Sequence, residues 1–517
     1  MLLCLLFAPA LFAQVTINVD AAANRHPINP NVYGVAFATT AQLLDLNVPL
    51  NRSGGNATTR YNWQLNATNH AADWFFESIA ETSALAGESA DTFIRDTKAA
   101  GAQPMITIPV IGWTAKLGPN RAKLAGFSVA KYGAQQSTDP YMPDAGNGLR
   151  ANGSEVAGND PNDANMPVDA LFQQAWVQHL VAQWGGVRYY LLDNEASIWH
   201  ATHRDVHPAG ATMDEVLAKM RDHAQRIRAA DRNTLICGPE EWGWVGYFYS
   251  GYDQQWAAAH NWSSFPDRAA HGGADYVAWL VANLRGLLDV VTVHYYPQSG
   301  EFSDDVFTAM QLRRNRSTRS LWDPSYVDES WIGDTVRLIP RMREWASGLP
   351  IGITEYNWGA ESDMNGATAQ ADVLGIFGRE GLDLAARWTT PAAGSPAYDA
   401  IRIYRNYDGA KSAFGDTSVS AGGPNPDSVA VFAAQRSSDG ALTVMIVTKV
   451  LSGTTSATIK IANFNAAASA QRWQLAAGTH IVRLADLTSL SLTLPPKSVT
   501  LLVIPPAAAG RHRAARH

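Results

Sequence analysis

Residues 191–195 (LLDNE) and 351–355 (IGITE) are the most informative stretches of this chain, because each is a short apolar run that ends in a glutamate. Such runs, bounded by polar loops, are typical of buried parallel strands. In a barrel of parallel strands, the loops that leave the strand ends form the mouth, and functional side chains lie there. Either glutamate alone could be a surface charge. Because both follow apolar runs and both are flanked by aromatic residues, Glu195 and Glu355 are predicted to share one cleft.

Other short apolar runs alternate with helical patterns in the same way along the first four fifths of the chain. Eight alternations of strand and helix predict an α/β fold, a closed (β/α)₈ barrel of the TIM type. The predicted strands are residues 32–37, 48–52, 105–110, 188–193, 234–237, 290–294, 351–354 and 384–388, and the clearest helices are residues 91–100, 170–183, 213–230, 276–287 and 334–347.

After Gly409 the pattern changes to short strands without helices, which predicts a C-terminal β-sandwich of about a hundred residues. Residues 436–440 (RSSDG) connect two of these strands as a hairpin, and residues 415–427 are predicted to be a loop. Residues 15–20 (VTINVD) alternate like the sandwich strands and belong either to that sheet or to the barrel. The predicted units are residues 14–24 (N-terminal strand), 25–408 (barrel) and 409–505 (sandwich), and the predicted sandwich strands are residues 428–435, 441–450, 456–461 and 498–504.

The composition limits the classes of partner. The 517 residues carry a formal net charge of −7 and no long basic stretch, so the chain lacks the charge pattern of a nucleic-acid-binding protein. A neutral polymer remains a suitable partner. We expect no membrane partner, and a monomer is the default expectation for a protein with an open cleft.

The N-terminus predicts export. Residues 2–13 (LLCLLFAPALFA) are too short to span a bilayer and have the pattern of the apolar core of a signal peptide, with cleavage after Ala10 or Ala13. Residues 1–13 are therefore predicted to be a signal peptide of a secreted, extracellular protein. Because Cys4 lies in this leader, only Cys237 would remain, and no disulfide is expected. Residues 506–517 lack periodicity and are predicted to be a disordered tail.

A pair of glutamates at a barrel mouth favours cleavage of glycosidic bonds, which ordinarily uses one carboxyl as acid and another as nucleophile or base. Asn194 precedes Glu195 and is of the type that can bind a sugar 2-hydroxyl, although Asn is also common in turns. Tyr296, or its neighbour Tyr295, can donate a hydrogen bond to one carboxylate or can pack in the core. No cofactor is required for this chemistry.

The chain has 17 tryptophans, many of them beside polar or glycine-rich loops. Flat aromatic rings suit the C–H faces of pyranose sugars, and several in a row indicate an open cleft that binds a polymer internally. Each tryptophan can instead lie in the core. The loop-type candidates for substrate binding are Trp63, Trp242, Trp322, Trp331 and Trp358, with Trp113 and Trp244 as further loop-type residues.

Residues 200–207 (HATHRDVH) contain three histidines, but their spacing fits no zinc template. His203 and Arg204 are therefore predicted to form part of the substrate-binding wall around Glu195. Asp160 and Asp163, in residues 158–165 (GNDPNDAN), offer closely spaced oxygen ligands of the kind that calcium takes. The alternative is a solvated turn rich in Asp and Asn.

Seven motifs resemble glycoside hydrolase family 44, and together they extend over nearly all of residues 15–504. Two positions depart from the family pattern: Ala196 stands where we expect Pro, and Ser53 where we expect Trp. The motifs are residues 51–63 (NRSGGNATTRYNW), 193–195 with 202–208 (DNE and THRDVHP), 238–244 (GPEEWGW), 293–298 (VHYYPQ), 316–331 (RSTRSLWDPSYVDESW), 354–359 (TEYNWG) and 404–409 (YRNYDG).

The resemblance implies a secreted, retaining endo-β-1,4-glucanase, often active on xyloglucan, in which Glu195 is the general acid/base and Glu355 the nucleophile. It also implies that the N-terminal strand belongs to the β-sandwich. Structural calcium is implied too, with Glu77 as a third ligand beside Asp160 and Asp163. Two alternatives remain. The same fold can act on xylan or mannan, or the protein can be a non-catalytic glycan binder, which would need neither Glu195 nor Glu355.

Overall fold

A closed barrel of eight parallel strands forms the centre of the molecule, as the computed structural model of residues 14–507 shows. The predicted α/β barrel is confirmed, and all eight predicted strands overlap observed ones. The predicted signal peptide and residues 508–517 of the predicted tail lie outside the described residues. The strands are β1 (Gly34–Ala36), β2 (Leu50–Ser53), β3 (Gln103–Ile108), β4 (Tyr189–Leu192), β5 (Leu235–Glu241), β6 (Val290–Tyr295), β7 (Ile351–Tyr356) and β8 (Leu384–Arg387).

One main helix follows each barrel strand and packs against the outside of the barrel. The longest of them buries Met213, Val216, Met220, Ala224 and Ile227, a spacing of three to four residues that places one apolar face on the strands. No helix within residues 14–507 is long and apolar enough to cross a membrane. The main helices are α1 (Thr40–Leu46), α2 (Glu88–Ala99), α3 (Ala170–Trp184), α4 (Met213–Ala230), α5 (Tyr276–Asn283), α6 (Leu338–Ala346), α7 (Met364–Arg379) and α8 (Pro396–Arg405).

The loops between these elements contain shorter helices and small sheets, most of them on the side of the barrel mouth. The shorter α-helices are Asn56–Thr59, Val129–Tyr132, Trp199–Thr202, Trp244–Phe248, Gly251–Ala259, Pro266–Ala270 and Thr308–Ser317, and the 3₁₀ turns are Pro30–Tyr33, Ala71–Asp73, Pro119–Arg121, Pro161–Asp163, Ala196–Ile198 and Thr318–Leu321. The loop strands are Ala67–Asn69, Glu77–Ala80, Trp113–Ala115, Leu124–Ala125, Thr138–Asp139, Met142–Gly146 and Asn165–Pro167.

The barrel interior changes from apolar to polar toward the strand ends. On β2, Leu50 belongs to the apolar layer, whereas Arg52, two residues further on, is polar and buried. Since residues two apart on a strand face the same side, the polar layer lies directly above the apolar one. This layering concentrates buried charge at the barrel mouth. The apolar layer comprises Leu50, Met105, Tyr189, Leu191, Cys237, Val290 and Leu384.

Ten strands form the predicted β-sandwich as one sheet that curls around its own apolar core. The N-terminal strand Gln14–Asp20 pairs with two C-terminal strands, which confirms that it joins this sheet. The predicted loop of residues 415–427 is wrong in part, because Thr417–Gly422 is a strand. The strands are Gln14–Asp20, His26–Pro27, Thr417–Gly422, Val429–Gln435, Leu442–Thr448, Thr455–Ala462, Ala470–Leu475, Val482–Leu487, Ser491–Leu494 and Ser498–Ile504.

Helix α7 connects the barrel with the β-sandwich, since it packs between the barrel and the sandwich strands. A Cβ at Gly375 would lie 2.2 Å from the ring of Phe432, so only glycine allows this approach. A buried ion pair crosses the same interface, where Lys449 of the sandwich bonds to Asp372 of α7. Thr318 also donates to Asp372 at 2.6 Å.

Removing the lysine of this pair is expected to destabilise the protein. Lys449→Met leaves the Asp372 carboxylate buried without its cation, which costs about 3–5 kcal/mol of unfolding free energy. Urea unfolding followed by tryptophan fluorescence measures the loss. The matched control is Lys460→Met, which removes an exposed lysine of the same sheet. Equal unfolding curves for the two variants would contradict this role of the ion pair.

Candidate active site

Glu195 and Glu355 meet at the barrel mouth. One carboxylate oxygen of each lies within 4.8 Å of the other. Glu195 follows β4 in a left-handed backbone conformation, with φ of 51°. In β7 the strand register shifts so that Glu355 pairs with His294 of β6, while Thr354 also bonds to a side chain in the barrel interior. Such a bulge re-aims a side chain, and here it lets two consecutive residues face inward.

Glu355 is held as a carboxylate by two donors. Arg52 and the hydroxyl of Tyr296 each donate a hydrogen bond to it at 2.7 Å. Burial raises the pKa of Glu355, but the charges of His294 and Arg52 and the Tyr296 hydrogen bond outweigh burial, so that the pKa lies below its usual value. Glu355 is therefore ionised at neutral pH and suited to act as a nucleophile.

Glu195 is shifted in the opposite direction. Burial raises its pKa above the usual value, and the charge of Glu355 adds to this, whereas a hydrogen bond from His294 at 2.8 Å acts against it. Two neighbouring carboxyls whose pKa values are pushed apart form the usual arrangement of an acid beside a nucleophile. Glu195 is therefore the group suited to hold a proton.

His294 lies between the carboxylates and is positively charged at neutral pH. Burial lowers its pKa, but Glu355, Glu195 and Glu240 together raise it to about 9. Its Nδ1 lies 2.8 Å from Glu195 and 3.7 Å from Glu355. Among the described residues, Glu195, His294 and Glu355 form the one group with the spacing of three metal ligands. A protonated imidazole cannot ligate a metal, so this group is better described as an ion cluster.

Glu240 fixes the far side of His294. Its carboxylate lies 3.1 Å from His294 Nε2, accepts a hydrogen bond from Thr354 at 2.6 Å and another from Thr292, and lies 3.8 Å from Arg52. The side chain is fully buried. Burial raises the pKa of Glu240, but His294 and Arg52 hold it below its usual value. The carboxylate therefore stays charged and keeps both imidazole nitrogens protonated.

Asn194 and Asp193 position the turn that carries Glu195. Asn194 accepts a hydrogen bond from Arg52 at 3.3 Å, which places its amide in the same cluster as Glu355. Asp193 accepts hydrogen bonds from the backbone amide of Ile111 at 2.9 Å and from the hydroxyl of Thr59 at 2.6 Å. The fold therefore brings Asn194, Glu195 and Tyr296 together with Glu355 in one cleft.

Known proteins share this architecture. The family model described as glycoside hydrolase family 44 matches residues 67–299. The crystal structure of CelM2, a bifunctional glucanase-xylanase from a metagenome library, is 63% identical, with 96% of this chain and 99% of that chain covered and a TM-score of 0.94. The chain belongs to glycoside hydrolase family 44.

More distant relatives support the same assignment. A xyloglucanase of this family from Paenibacillus polymyxa is 25% identical, with 95% of this chain and all of that chain covered and a TM-score of 0.79. Endoglucanase A of Paenibacillus lautus is 28% identical over 96% of this chain and 73% of that protein. The protein is thus a glycoside hydrolase.

Only some of the predicted tryptophans lie at the mouth of this family 44 enzyme. Trp242 directly follows β5, and its ring packs beside Gly246, which also adjoins Ser197 in the turn after Glu195; its substrate contact stays a prediction. Trp331 is 58% exposed in a loop after β6, and its substrate contact stays a prediction. The Trp358 prediction is wrong, because its ring is buried against Tyr295 and Tyr356. Trp63 is half-buried on Phe172 and His179, and Trp322 is half-buried under Arg379 near the sandwich, so their substrate contact stays a prediction.

His203 does not reach the cleft either. Its side chain is fully buried, and its Nδ1 lies 3.4 Å from Arg60, which pairs with Asp205. Burial holds its pKa well below the usual value, so the imidazole is neutral. The prediction of substrate binding by His203 is therefore wrong; this histidine packs inside a buried charged cluster.

Several residues of the site escaped sequence reasoning. Arg52, Glu240 and His294 carry its charge, and each lies at the end of a barrel strand. Polar residues at strand ends, the signal that revealed Glu195 and Glu355, would also have found them. Trp388, after β8, lies under Arg52 with 5.5 Å from the guanidinium to the ring. Phe302 is 53% exposed beside Tyr296 and offers a further ring at the mouth.

The three predicted calcium ligands do not assemble. Glu77, Asp160 and Asp163 are not a group of neighbouring ligand atoms among residues 14–507. Asp163 bonds to Lys131 at 2.6 Å and to Tyr132, and Asp160 caps a turn at Asn162. Glu77 is buried, and burial and Asp139 raise its pKa to about 7. This set does not fit a shared cation, and structural calcium stays a prediction without a ligand set.

The Glu240 contact leads to a test of the charge on His294. In Glu240→Gln the imidazole loses one of the three carboxylates that raise its pKa, so that the pKa should fall from about 9 toward the ordinary value. Titration of ¹⁵N-labelled histidine by NMR, with His294→Asn for assignment, measures this shift. Glu241→Gln is the matched control, because Glu241 is equally buried but bonds to Ser197 instead. An unchanged His294 titration in Glu240→Gln would contradict the role of Glu240.

Proposed function

We propose that this enzyme cleaves internal β-1,4-glucosidic bonds in cellulose-type glucans and xyloglucan, with retention of anomeric configuration. The single observation that supports retention is the separation of the two carboxylates. Retaining glycosidases hold them about 5–5.5 Å apart, whereas inverting enzymes need about 6.5–9.5 Å for an intervening water. One oxygen of Glu195 lies within 4.8 Å of one oxygen of Glu355, which is nearer to the retaining separation than to the inverting one.

In the first step, Glu355 attacks the anomeric carbon while Glu195 gives its proton to the departing oxygen. The glycosidic bond breaks as the ester bond to Glu355 forms. The negative charge of Glu355 is then lost, and with it one contribution that raises the pKa of Glu195. In the second step, Glu195 takes a proton from water, and that water's oxygen displaces Glu355 from the sugar.

Three residues close to Glu355 assist these two steps. Arg52 and Tyr296 hold the Glu355 carboxylate in a fixed orientation, and Arg52 keeps it ionised. Asn194 accepts a hydrogen bond from Arg52, which also binds Glu355, so the Asn194 amide lies close to Glu355. There the amide can bind the sugar 2-hydroxyl, a contact that strengthens in the transition state. The exposed rings of Phe302 and Trp331 are proposed stacking surfaces for further sugars.

The substrate class rests on relatives. The similar proteins include a xyloglucanase of Paenibacillus polymyxa and endoglucanase A of Paenibacillus lautus. A second candidate is xylan, because CelM2 is described as a bifunctional glucanase-xylanase. An extracellular polymer also suits the predicted leader, and we propose that the protein is secreted and acts as a monomer.

Reducing-sugar release from carboxymethyl cellulose, xyloglucan, xylan and mannan separates these candidates. The proposal expects cleavage of the first two polymers, and cleavage of xylan or mannan alone would overturn it. Rapid ¹H NMR of the first products tests stereochemistry. The β-anomer is expected to form first, and initial appearance of the α-anomer would contradict retention.

A further inference from the structure

A cavity of about 340 Å³ lies beside the catalytic cluster, behind the loop that follows β2. Its walls come from this loop, from β3, and from helices α2 and α3. Neither Glu195 nor Glu355 lines it. We propose that this cavity binds one branch pyranose of a decorated β-glucan whose main chain lies in the cleft; this inference rests on the proposed function.

The cavity adjoins the catalytic cluster. Ser53 and Gly54 line it, and they directly follow Arg52, whose guanidinium bonds to Glu355. A row of aromatic rings follows the same path. The ring of Trp388, next to Arg52, lies 5.6 Å from that of Phe37, which lies 6.1 Å from that of Phe93. Phe37 and Phe93 both line the cavity, so its opening adjoins the place where a sugar chain must lie.

The lining has the chemistry of a sugar site. Tyr61, Phe93 and Trp176 supply apolar ring surface, and His70 and Glu81 supply polar groups. The imidazole of His70 makes no hydrogen bond within the described residues, and burial lowers its pKa, so it offers one donor and one acceptor at neutral pH. In the part of the chain that the structure describes, the side chain of Glu81 accepts a single long hydrogen bond, of 3.4 Å from Thr68. Apolar walls with a few polar groups are typical of small-ligand pockets of about 300–1,000 Å³.

The shape favours a branch over the main chain. An enzyme that cuts internal bonds must let the polymer leave its cleft in both directions. The lining of this cavity instead includes Ile106 of β3 and the ring of Trp176 of α3, both only 2% exposed, so the protein core backs this side of the recess. A main chain cannot continue through such a recess, whereas a single substituent can enter it. Phe37 is 45% exposed at the opening, where its ring can contact both the main chain and the branch sugar.

Filling the cavity tests this inference. Ala90 of α2 lines it, and Ala90→Leu adds bulk there without touching the catalytic cluster. The expected result is a fall of about tenfold or more in kcat/KM for xyloglucan relative to carboxymethyl cellulose. The matched control is Ala99→Leu, at an exposed position on the same helix, which should leave the ratio unchanged. His70→Ala, at the rim, provides a second variant if Ala90→Leu does not fold.

The outcomes separate the two proposals. If the native enzyme cleaves neither polymer, the proposed function is wrong. If it cleaves both and a folded Ala90→Leu or His70→Ala keeps the native ratio, the branch site alone is overturned. Free xylose, titrated by calorimetry, serves as a probe. Xylose binding that Ala90→Leu abolishes, with the polymer ratio unchanged, would also overturn the inference, because the cavity would then take a free sugar.

Discussion

Glu355→Gln is expected to lower kcat on all substrates by about 10⁴-fold or more, because an amide cannot form the ester bond to the sugar. The structure suggests that the variant folds normally, since Gln can keep the hydrogen bond from Tyr296. Circular dichroism and thermal melting check the fold, and reducing-sugar assays give kcat.

Two comparisons sharpen this expectation. Glu361→Gln changes another carboxylate of the loop after β7, one that bonds to Arg387 and not to the catalytic cluster, and should retain activity. In Glu355→Ala, azide can occupy the space that the carboxylate leaves. It would attack the sugar directly and give a glycosyl azide of inverted configuration. Undiminished polymer cleavage by either Glu355 variant would show that the nucleophile is another residue.

Glu195→Gln is expected to lower kcat on polysaccharides by about 10²–10⁴-fold, the usual contribution of a general acid. In Glu195→Gln, the decrease in the rate of the first step should be much smaller for an aryl glycoside, because its phenolate leaves without needing a proton. A burst of phenol followed by slow turnover would then appear, since the second step still lacks its base. Equal losses in the burst phase for both substrates would contradict the assignment of Glu195 as acid.

The pH dependence of the native enzyme follows from the same pair. Glu195 must be protonated, and burial raises its pKa, so activity should extend above the ordinary range of a carboxyl group and fall as pH rises through that raised pKa. Glu355 must be ionised, and its pKa is lowered, so activity should be lost only as pH falls through that lower value. The profile of kcat/KM is therefore a bell whose basic limb should disappear in Glu195→Gln.

The sequence was sufficient for the barrel and for the two glutamates, because both depend on local patterns. Apolar runs such as residues 351–354 mark buried strands, and a polar residue at the end of such a run marks the mouth. The same pattern placed Asn194 in the turn before Glu195, but it left Tyr296 and Tyr295 as alternatives, and the structure selects Tyr296. It did not reveal the bulge of β7, which arises from pairing with β6 and lets Thr354 and Glu355 both face inward.

The fate of the aromatic residues was not predictable in this way. Trp358 follows β7 by only two residues, yet its ring turns into the core and donates to Ser317. Trp322 packs against Arg379 of α7, beside residues of the sandwich that are distant in sequence. His203 likewise depends on Arg60, distant in sequence. Such choices are made by tertiary packing, which no local spacing encodes.

The proposed mechanism requires that Glu355 becomes covalently attached to the sugar while Glu195 transfers the proton. The most direct measurement is mass spectrometry of the enzyme after reaction with a 2-deoxy-2-fluoro cello-oligosaccharide that carries a good leaving group. We expect the mass of the enzyme to increase by one glycosyl group, which is located on the peptide that contains Glu355 and is absent in Glu355→Gln. A label on any other residue would contradict it.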